Sequence, residues 1–316
     1  MRAQSILAAI TLCMTLGLAS FPGTGKADTP VRTVLSTTFP IHQIVRQVTA
    51  GRAGLSVVQM LPSQMGCPHD YALTTQDMQK LARADVLVIN GLGMEEFLGA
   101  PLKKANPKIS LIDSSSGIKE TLAYTDQPQA QAHTHAHAHT HVAINPHLFA
   151  SPRMNARLAL NIATGLSKVD PEGAALYARN AEAYAGTMNR LADDMAALGK
   201  RLKNPRIMQP HGVFDYLARD MGLSIVAVML AHGQEPSAAG IRRLAKTLRE
   251  TQAGAVLTEP QYPGKIVQIL SKETGVPFAT LDPVASGPED APPDYYEKVM
   301  RQNMKTLAST LGVRQE

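Results

Sequence analysis

Residues 133–141 read HTHAHAHTH, with His133, His135, His137, His139 and His141 at every second position. Neutral imidazole is the commonest side-chain metal ligand and adds little to an apolar core, so this density points to a metal rather than to packing. From Tyr124 to Val142 the composition is Gln, Ala, Thr and His with nothing to bury, which reads as a mobile loop. Such a tract collects cations near a site but makes a poor selective site itself. The competing interpretation is a polar spacer without function.

Four histidines outside the tract sit at the ends of candidate elements: His69 in MGCPHDY, His147 in NPHLF, His211 in MQPHGVFDY and His232 in AHGQEPS. His69 and His211 lie beyond candidate strands, where ligands bind in open α/β sheets. His69, His147 and His211 each follow a proline, whose fixed φ helps set the direction of the imidazole. One such histidine alone reads as a hydrogen-bonded structural residue; three in like settings point to a metal site. His232 is taken as structural. The fourth ligand is expected to be Asp282 in TLDPV, at the end of the last candidate strand, ahead of Glu259 in LTEPQ at the end of its neighbour. The alternative role of Asp282 is to cap the turn that Asp-Pro favours. Three imidazoles and one carboxylate suit four-coordinate zinc. Nickel or copper would bind such a set more tightly, so affinity alone does not name the metal.

Positioning these groups requires a particular fold. Short β-rich runs alternate with helical patterns, the signature of parallel α/β sheets. VRTVLSTT (31–38), LSVVQML (55–61), DVLVIN (85–90) and KISLID (108–113) read as strands, with helices at Phe39–Ala50, Thr75–Ala84 and MEEFLGAPLKK between them. A helix over Pro152–Lys168 follows, and Asp170-Pro171 supplies an N-cap and a first-turn proline for a second helix reaching Leu202, about 45 Å long. A second α/β unit then runs through RIMQP, SIVAVML, AVLTEP and VPFATLD, with helices at Val213–Met221, Ser237–Thr251 and Gly264–Thr274, and PDYYEKVMRQNMKTLASTL closes the chain as an amphipathic helix. The expected architecture is α/β: two lobes with parallel sheets joined by a long rigid helix, the metal site between them. The expected boundaries are a signal peptide at 1–27, a first lobe at 28–150 including the histidine-rich loop 125–142, a helical segment at 151–203 and a second lobe at 204–316.

MRAQSILAAITLCMTLGLAS places one arginine before an apolar run, and Gly25-Lys26-Ala27 offers small residues for cleavage after Ala27, with Ala19 as the alternative. The run is shorter than the roughly 20 residues that span a bilayer. Cys13 follows Leu12 rather than a small residue, which argues against a lipid anchor. Losing Arg2 and Lys26 lowers the formal charge from +5 by two, and so small a balance gives no case for nucleic acid. Cys67 then stands alone, without a partner for an intramolecular disulfide, in a chain large enough to fold without one. The expectation is an exported, periplasmic, monomeric protein.

The chain resembles the solute-binding proteins of ATP-binding-cassette metal importers, the zinc and manganese cluster, in its zinc-binding branch. The resemblance is carried by CPHDYALTTQDMQKLARADVLVINGLGMEEFL (67–98), NPHLFASPRMNARLALNIATGLSKVDPEGAALYARNAEAY (145–184), MQPHGVFDYLARDMGL (208–223), EPSAAGIRRLAKTLRE (235–250) and TLDPV (280–284), in that order. It implies two α/β lobes joined by a long helix, Zn2+ as the transported ligand held by His69, His147, His211 and Asp282, and a membrane permease as partner. Manganese-binding relatives tend to carry a carboxylate in place of the third histidine, which here is His211. The family often has Asp where Asn145 stands, so the support of His147 departs from the pattern. Cys67 beside His69 is a further candidate ligand, or a structural thiol. The implied role is import rather than catalysis. The alternatives are a manganese importer component, a zinc hydrolase, for which no H-E-x-x-H exists, and an extracellular adhesin or zinc buffer.

Overall fold

The computed structural model describes residues 32–66, 68, 71–124, 144–229, 236–262 and 264–315. The expected signal peptide, Cys67, His69, His232 and the histidine tract lie outside these residues. Among the described residues the strands form two parallel sheets of four. The first has the order β2-β1-β3-β4, from β1 (Arg32–Ser36), β2 (Leu55–Gln59), β3 (Val86–Ile89) and β4 (Ser110–Asp113). The second repeats that pattern with β5 (Arg206–Gln209), β6 (Ser224–Val228), β7 (Ala255–Thr258) and β8 (Phe278–Thr280), ordered β6-β5-β7-β8.

Each sheet is covered on both faces, and the period-2 alternation of side chains divides its residues between two cores. In the first lobe Val34, Val86 and Val88 face inward, with α1 (Phe39–Thr49), while Leu35 and Leu87 face outward to α2 (Thr75–Arg83) and α3 (Gly99–Ala105). In the second, Ile207, Ala255 and Leu257 face inward, with α6 (Asp215–Met221) and α9 (Tyr295–Leu311). Met208 and Val256 there face α7 (Ala238–Glu250) and α8 (Lys265–Thr274). The inward faces share one continuous apolar core, threaded by α4 (Pro152–Val169) and α5 (Ala174–Arg201).

The 28 residues of α5 span about 42 Å. Its buried positions Tyr177, Ala181, Ala185, Met188, Leu191, Ala192, Met195 and Gly199 share one face, the stripe of a helix packed along its whole length. Gly199 is required because a Cβ there would stand 1.9 Å from the carbonyl oxygen of Met221 at the end of α6.

Two helix starts differ from expectation. The side chain of Asp170 does not cap a helix: Arg52 Nε and Nη2 donate to it at 2.8 and 2.9 Å and the Tyr177 hydroxyl at 2.5 Å. Pro171–Gly173 therefore makes a 3-10 turn ahead of α5. In MEEFLGAPLKK the α-helix begins only at Gly99, after a 3-10 turn at Glu96–Leu98, because the preceding Glu95 carboxylate folds back onto the β3 loop.

The lobes are also stitched together beyond β8. Arg46 Nη1 donates to the Ala291 carbonyl at 2.9 Å, Gln64 Nε2 to that of Gly287 at 2.7 Å, and Phe39 meets Tyr295 edge-on at 5.8 Å. The segment following Asp282 is thereby fixed to α1 and to the loop after β2. No helix of the described residues is long and apolar enough to cross a membrane.

Candidate metal centre

His147 is fully buried (0% exposed) and is held from both lobes. Asn90, just past β3, donates from Nδ2 to the Pro146 carbonyl at 2.9 Å. From the other side the Tyr216 hydroxyl on α6 donates to the Asn145 carbonyl at 2.7 Å, and the Asn145 N–H donates to the Leu122 carbonyl at 2.8 Å. Asn145 Oδ1 accepts the backbone N–H of His147 at 2.9 Å and lies 2.8 Å from its Nδ1. Asn145 Nδ2 donates to the Gly212 carbonyl at 2.6 Å and to Asp215 Oδ2 at 2.9 Å, which fixes the amide orientation. The proton therefore sits on Nδ1 of His147, which makes Nε2 the unprotonated ring nitrogen. Tyr124 and Phe149 wall the ring edge-on, with centroids at 5.9 and 5.8 Å.

His211 follows β5 and Pro210 and is 8% exposed. Gln209 braces its loop: Oε1 accepts the Phe214 N–H at 3.1 Å and Nε2 donates to Asp215 Oδ1 at 2.6 Å. The imidazole packs against His147, ring centroids 5.1 Å apart, and against Tyr262 at 6.1 Å. Its Nδ1 is 3.0 Å from Oε1 of Glu259, which stands directly after β7 and is 1% exposed. Gln261 Nε2 donates to the other carboxylate oxygen at 2.7 Å. The His211–Glu259 contact lacks hydrogen-bond alignment, so among the described residues both ring nitrogens and Glu259 Oε1 are buried without a hydrogen-bond partner. Unbonded polar atoms at such depth are costly, and imidazole nitrogens beside a carboxylate oxygen are the donor chemistry a divalent cation such as zinc takes.

Asp282 lies two residues beyond β8 and is half-buried. Its Oδ1 accepts the Val284 N–H at 2.7 Å, holding Val284 at φ 62°, a left-handed conformation rare for a β-branched residue. Its N–H and carbonyl are both bonded to the Asn303 side chain of α9, at 3.1 and 2.7 Å. Burial pushes the Asp282 carboxyl above its ordinary range; the Val284 N–H opposes this and the nearby charge of Glu259 adds to it. A buried carboxyl that a neighbouring negative charge makes harder to ionise sits in an electrostatic setting that favours a cation.

The structure thus brings His147, His211 and Glu259 together, with Asp282 electrostatically coupled to Glu259. Among the described residues no three His, Cys, Asp or Glu side chains converge so that they could hold an ion. The loop leading toward Cys67 and His69 is described as far as Gly66, where a Cβ would stand 3.7 Å from Gln261 Nε2 of the second lobe.

Several supporting residues escaped the sequence reading. Glu95 is buried beyond β3, and its carboxylate accepts the Thr37 hydroxyl at 2.6 Å and the N–H groups of Asn90 and Gly91 at 2.8 and 3.1 Å. It closes the loop from which Asn90 reaches Pro146. Gly91 must be glycine, since its φ is 88° and a Cβ would stand 2.1 Å from Asp113 Oδ1. Asp215, Tyr216 and Tyr262 were missed as well. The one signal for Glu95 was an acidic residue just past a Gly-x-Gly strand end, too common a pattern to be specific.

The zinc-binding protein AdcA of Streptococcus pyogenes serotype M6 is 28% identical over 293 residues, covering 89% of this chain and 56% of AdcA. The chain thus spans about half the length of the AdcA relatives it matches. The high-affinity zinc uptake system protein ZnuA of Bacillus subtilis is 26% identical, covering 98% of this chain and 97% of that protein. Among solved structures, the solute-binding protein FpvC of Pseudomonas aeruginosa in complex with Mn2+ superposes with a TM-score of 0.74 at 27% identity, over 89% of this chain and 98% of that one. The expected two-lobed α/β fold is the fold observed. The family described as "Zinc-uptake complex component A periplasmic" matches residues 34–310, and the chain belongs to this ZnuA family.

Proposed function

We propose that this protein binds zinc outside the cytoplasmic membrane and delivers it to the membrane permease of an ATP-binding-cassette importer. The observation that carries this reading is the buried pair His147 and His211 at the meeting of the lobes, with unbonded ring nitrogens on His211 beside an unbonded oxygen of Glu259. A cation would meet the imidazole nitrogens, and an imidazole-rich set favours zinc over manganese, which prefers oxygen. The proposed ligands are His69, His147, His211 and Asp282. Glu259, 3.0 Å from His211 Nδ1, is assigned to orient that ring and not to fill the fourth position. The tract His133–His141 is assigned as an accessory collector.

The ligands come from both lobes, so capture and release are coupled to whatever slight lobe movement the shared core allows. The export signal at 1–27, a periplasmic location, a monomeric state and the lobe limits 28–150 and 204–316 belong to the same proposal. A hydrolase needs an activated water and a base. Glu259, the candidate base, has one oxygen hydrogen-bonded to Gln261 Nε2 and the other against the His211 ring, placed to orient a ligand rather than to activate water, which favours a carrier. The decisive experiment is metal analysis of protein purified without added metal, followed by competition titration of the stripped protein with zinc, manganese and nickel. Zinc bound one per chain and more tightly than manganese supports the reading; preference for manganese overturns it.

A further inference from the structure

The two imidazoles are backed differently. His211 faces the Glu259 carboxylate directly, whereas His147 faces the neutral amide of Asn145, and the carboxylate of Asp215 stands behind that amide. Asn145 is fully buried and spans the gap: Oδ1 accepts a hydrogen bond from the His147 Nδ1–H, and Nδ2 donates to Asp215 Oδ2 and to the carbonyl of Gly212, the residue after His211. Asp215 in turn is held by Gln209 Nε2 at 2.6 Å. Polarity runs one way along the chain of bonds, from imidazole N–H through amide to carboxylate. Reversing the amide would set Nδ2 against the His147 N–H groups and Oδ1 against Asp215.

We propose that Asn145 is a positioning residue for metal binding, paired with Asp215. It presents Nε2 of His147 to the ion and locks His147 to the loop of His211, so that the two imidazoles are preset relative to each other. This rests on the reading that His147 is a ligand. A neutral amide is needed at position 145 because Asp215 already supplies the negative charge. A carboxylate at position 145 would lie within hydrogen-bond distance of Asp215 Oδ2, 2.9 Å from the present nitrogen, and next to the Gly212 carbonyl, with no donor between them. Exchanging the two residue types would restore a donor.

The test uses the full mature chain carrying Asn145→Asp, Asn145→Ala, or Asn145→Asp with Asp215→Asn. Each is titrated with zinc against a chromophoric chelator, and the His147 tautomer is read in the metal-free protein by long-range proton–nitrogen NMR. Asn145→Asp and Asn145→Ala are expected to weaken zinc binding by about 10- to 100-fold, the usual scale for losing a ligand's supporting bond. Asn145→Ala should also lose the single Nδ1-protonated tautomer. The exchanged pair should recover at least about half of the Asn145→Asp loss on a logarithmic scale, the coupling expected of residues in direct contact. Should Asn145→Asp not fold, Asn145→Ala carries the test through both readouts. Wild-type affinity in Asn145→Ala, an unchanged tautomer, or an exchanged pair no tighter than Asn145→Asp overturns the proposal. A wild-type chain that fails to bind zinc would overturn the zinc assignment instead, and the tautomer measurement would still report on Asn145.

Discussion

The imidazole of His147 lies edge-on to that of His211, with centroids 5.1 Å apart and ring planes at 73°. Each is reached by a separate stretch of chain, yet both are tied to Asp215, one through Asn145 and the other through the Gln209 brace of its loop. Two rings so disposed can aim nitrogens at one ion. His147→Ala and His211→Ala are each expected to weaken zinc binding by more than about 100-fold, beyond the range for losing a supporting residue. The control is His42→Ala. His42 is buried in α1 with Nδ1 2.9 Å from the Ser36 hydroxyl, and its loss should alter stability but not affinity. Competition titration of the three variants checks this; equal losses in all three would mean the site has been misplaced.

The two carboxylates beside His211 have separable roles. If Asp282 is the ligand and Glu259 the orienting group, Glu259→Gln should cost about 10-fold in zinc affinity, and Asp282→Asn clearly more. Cobalt substitution gives a second readout. Loss of a ligand changes the visible spectrum, whereas loss of an orienting group leaves the coordination number, and so the band pattern, in place. The opposite ranking would put Glu259 in the fourth position.

The tract HTHAHAHTH is separate in sequence from the groups that the lobes hold. Deleting residues 126–142 is therefore expected to leave one tight zinc site and remove only weaker ones. Equilibrium titration followed by calorimetry distinguishes the classes, and disappearance of the tight site would transfer the binding role to the tract.

The repeating architecture was legible because it rests on local signals. Each of the β1 to β8 segments is a short apolar run ending at a polar or Pro step, and the observed strands fall inside the expected runs, shorter by a few residues. His211, Glu259 and Asp282 could be read as strand-end residues, and each does lie just beyond its strand, β5, β7 or β8, where ligands bind in such sheets. What could not be read were contacts made across the fold. Asp170 looks like a helix cap until Arg52, distant in sequence, takes its carboxylate. Asp215 looks like an ordinary first-turn acid of α6 until Asn145 and Gln209 close on it. Asn145 stood out only as a departure from a family pattern, and its reason lies in a partner 70 positions away.

The Arg52–Asp170 pair anchors the start of the long helix. The Arg52 hydrogen bonds hold the Asp170 carboxyl at about 2 against the opposing effect of burial, with the Tyr177 hydroxyl assisting. A depressed carboxyl contributes stability above its unfolded value of 3.8 and loses that contribution as pH falls through the folded value. Asp170→Asn should lower stability near neutral pH by about 2 kcal/mol, the scale of hydrogen bonds to a charged group. The difference from wild type should shrink between about pH 4 and pH 2. Urea unfolding of metal-free protein across that range measures it, and a difference that stays constant would show that the pair contributes nothing through its charge.

Glu95 carries the opposite sign. Burial pushes its carboxyl up to about 7; the Thr37 hydroxyl and the N–H groups of Asn90 and Gly91 pull it down, and Asp113 adds a small upward push. A carboxyl whose folded value exceeds its unfolded value of 4.5 contributes fully below the unfolded value, and the contribution declines as pH rises toward and through the folded one. The metal-free protein should therefore lose stability between about pH 5 and pH 7.5, above the range in which ordinary exposed carboxylates titrate. Glu95→Gln keeps one acceptor oxygen for the Thr37 and Asn90 donors but opposes the Gly91 N–H with an amide nitrogen. The variant should start less stable at pH 5 and show a flatter slope above it. Because Glu95 closes the loop that holds Pro146 through Asn90, its zinc affinity should fall as well, by less than for Asn145→Ala. Chelator-treated samples unfolded in urea at several pH values, beside zinc titrations at pH 7.5, separate the two effects. A slope as steep in Glu95→Gln as in the wild type would mean that the neutral-pH loss arises elsewhere, with the histidines as the first place to look.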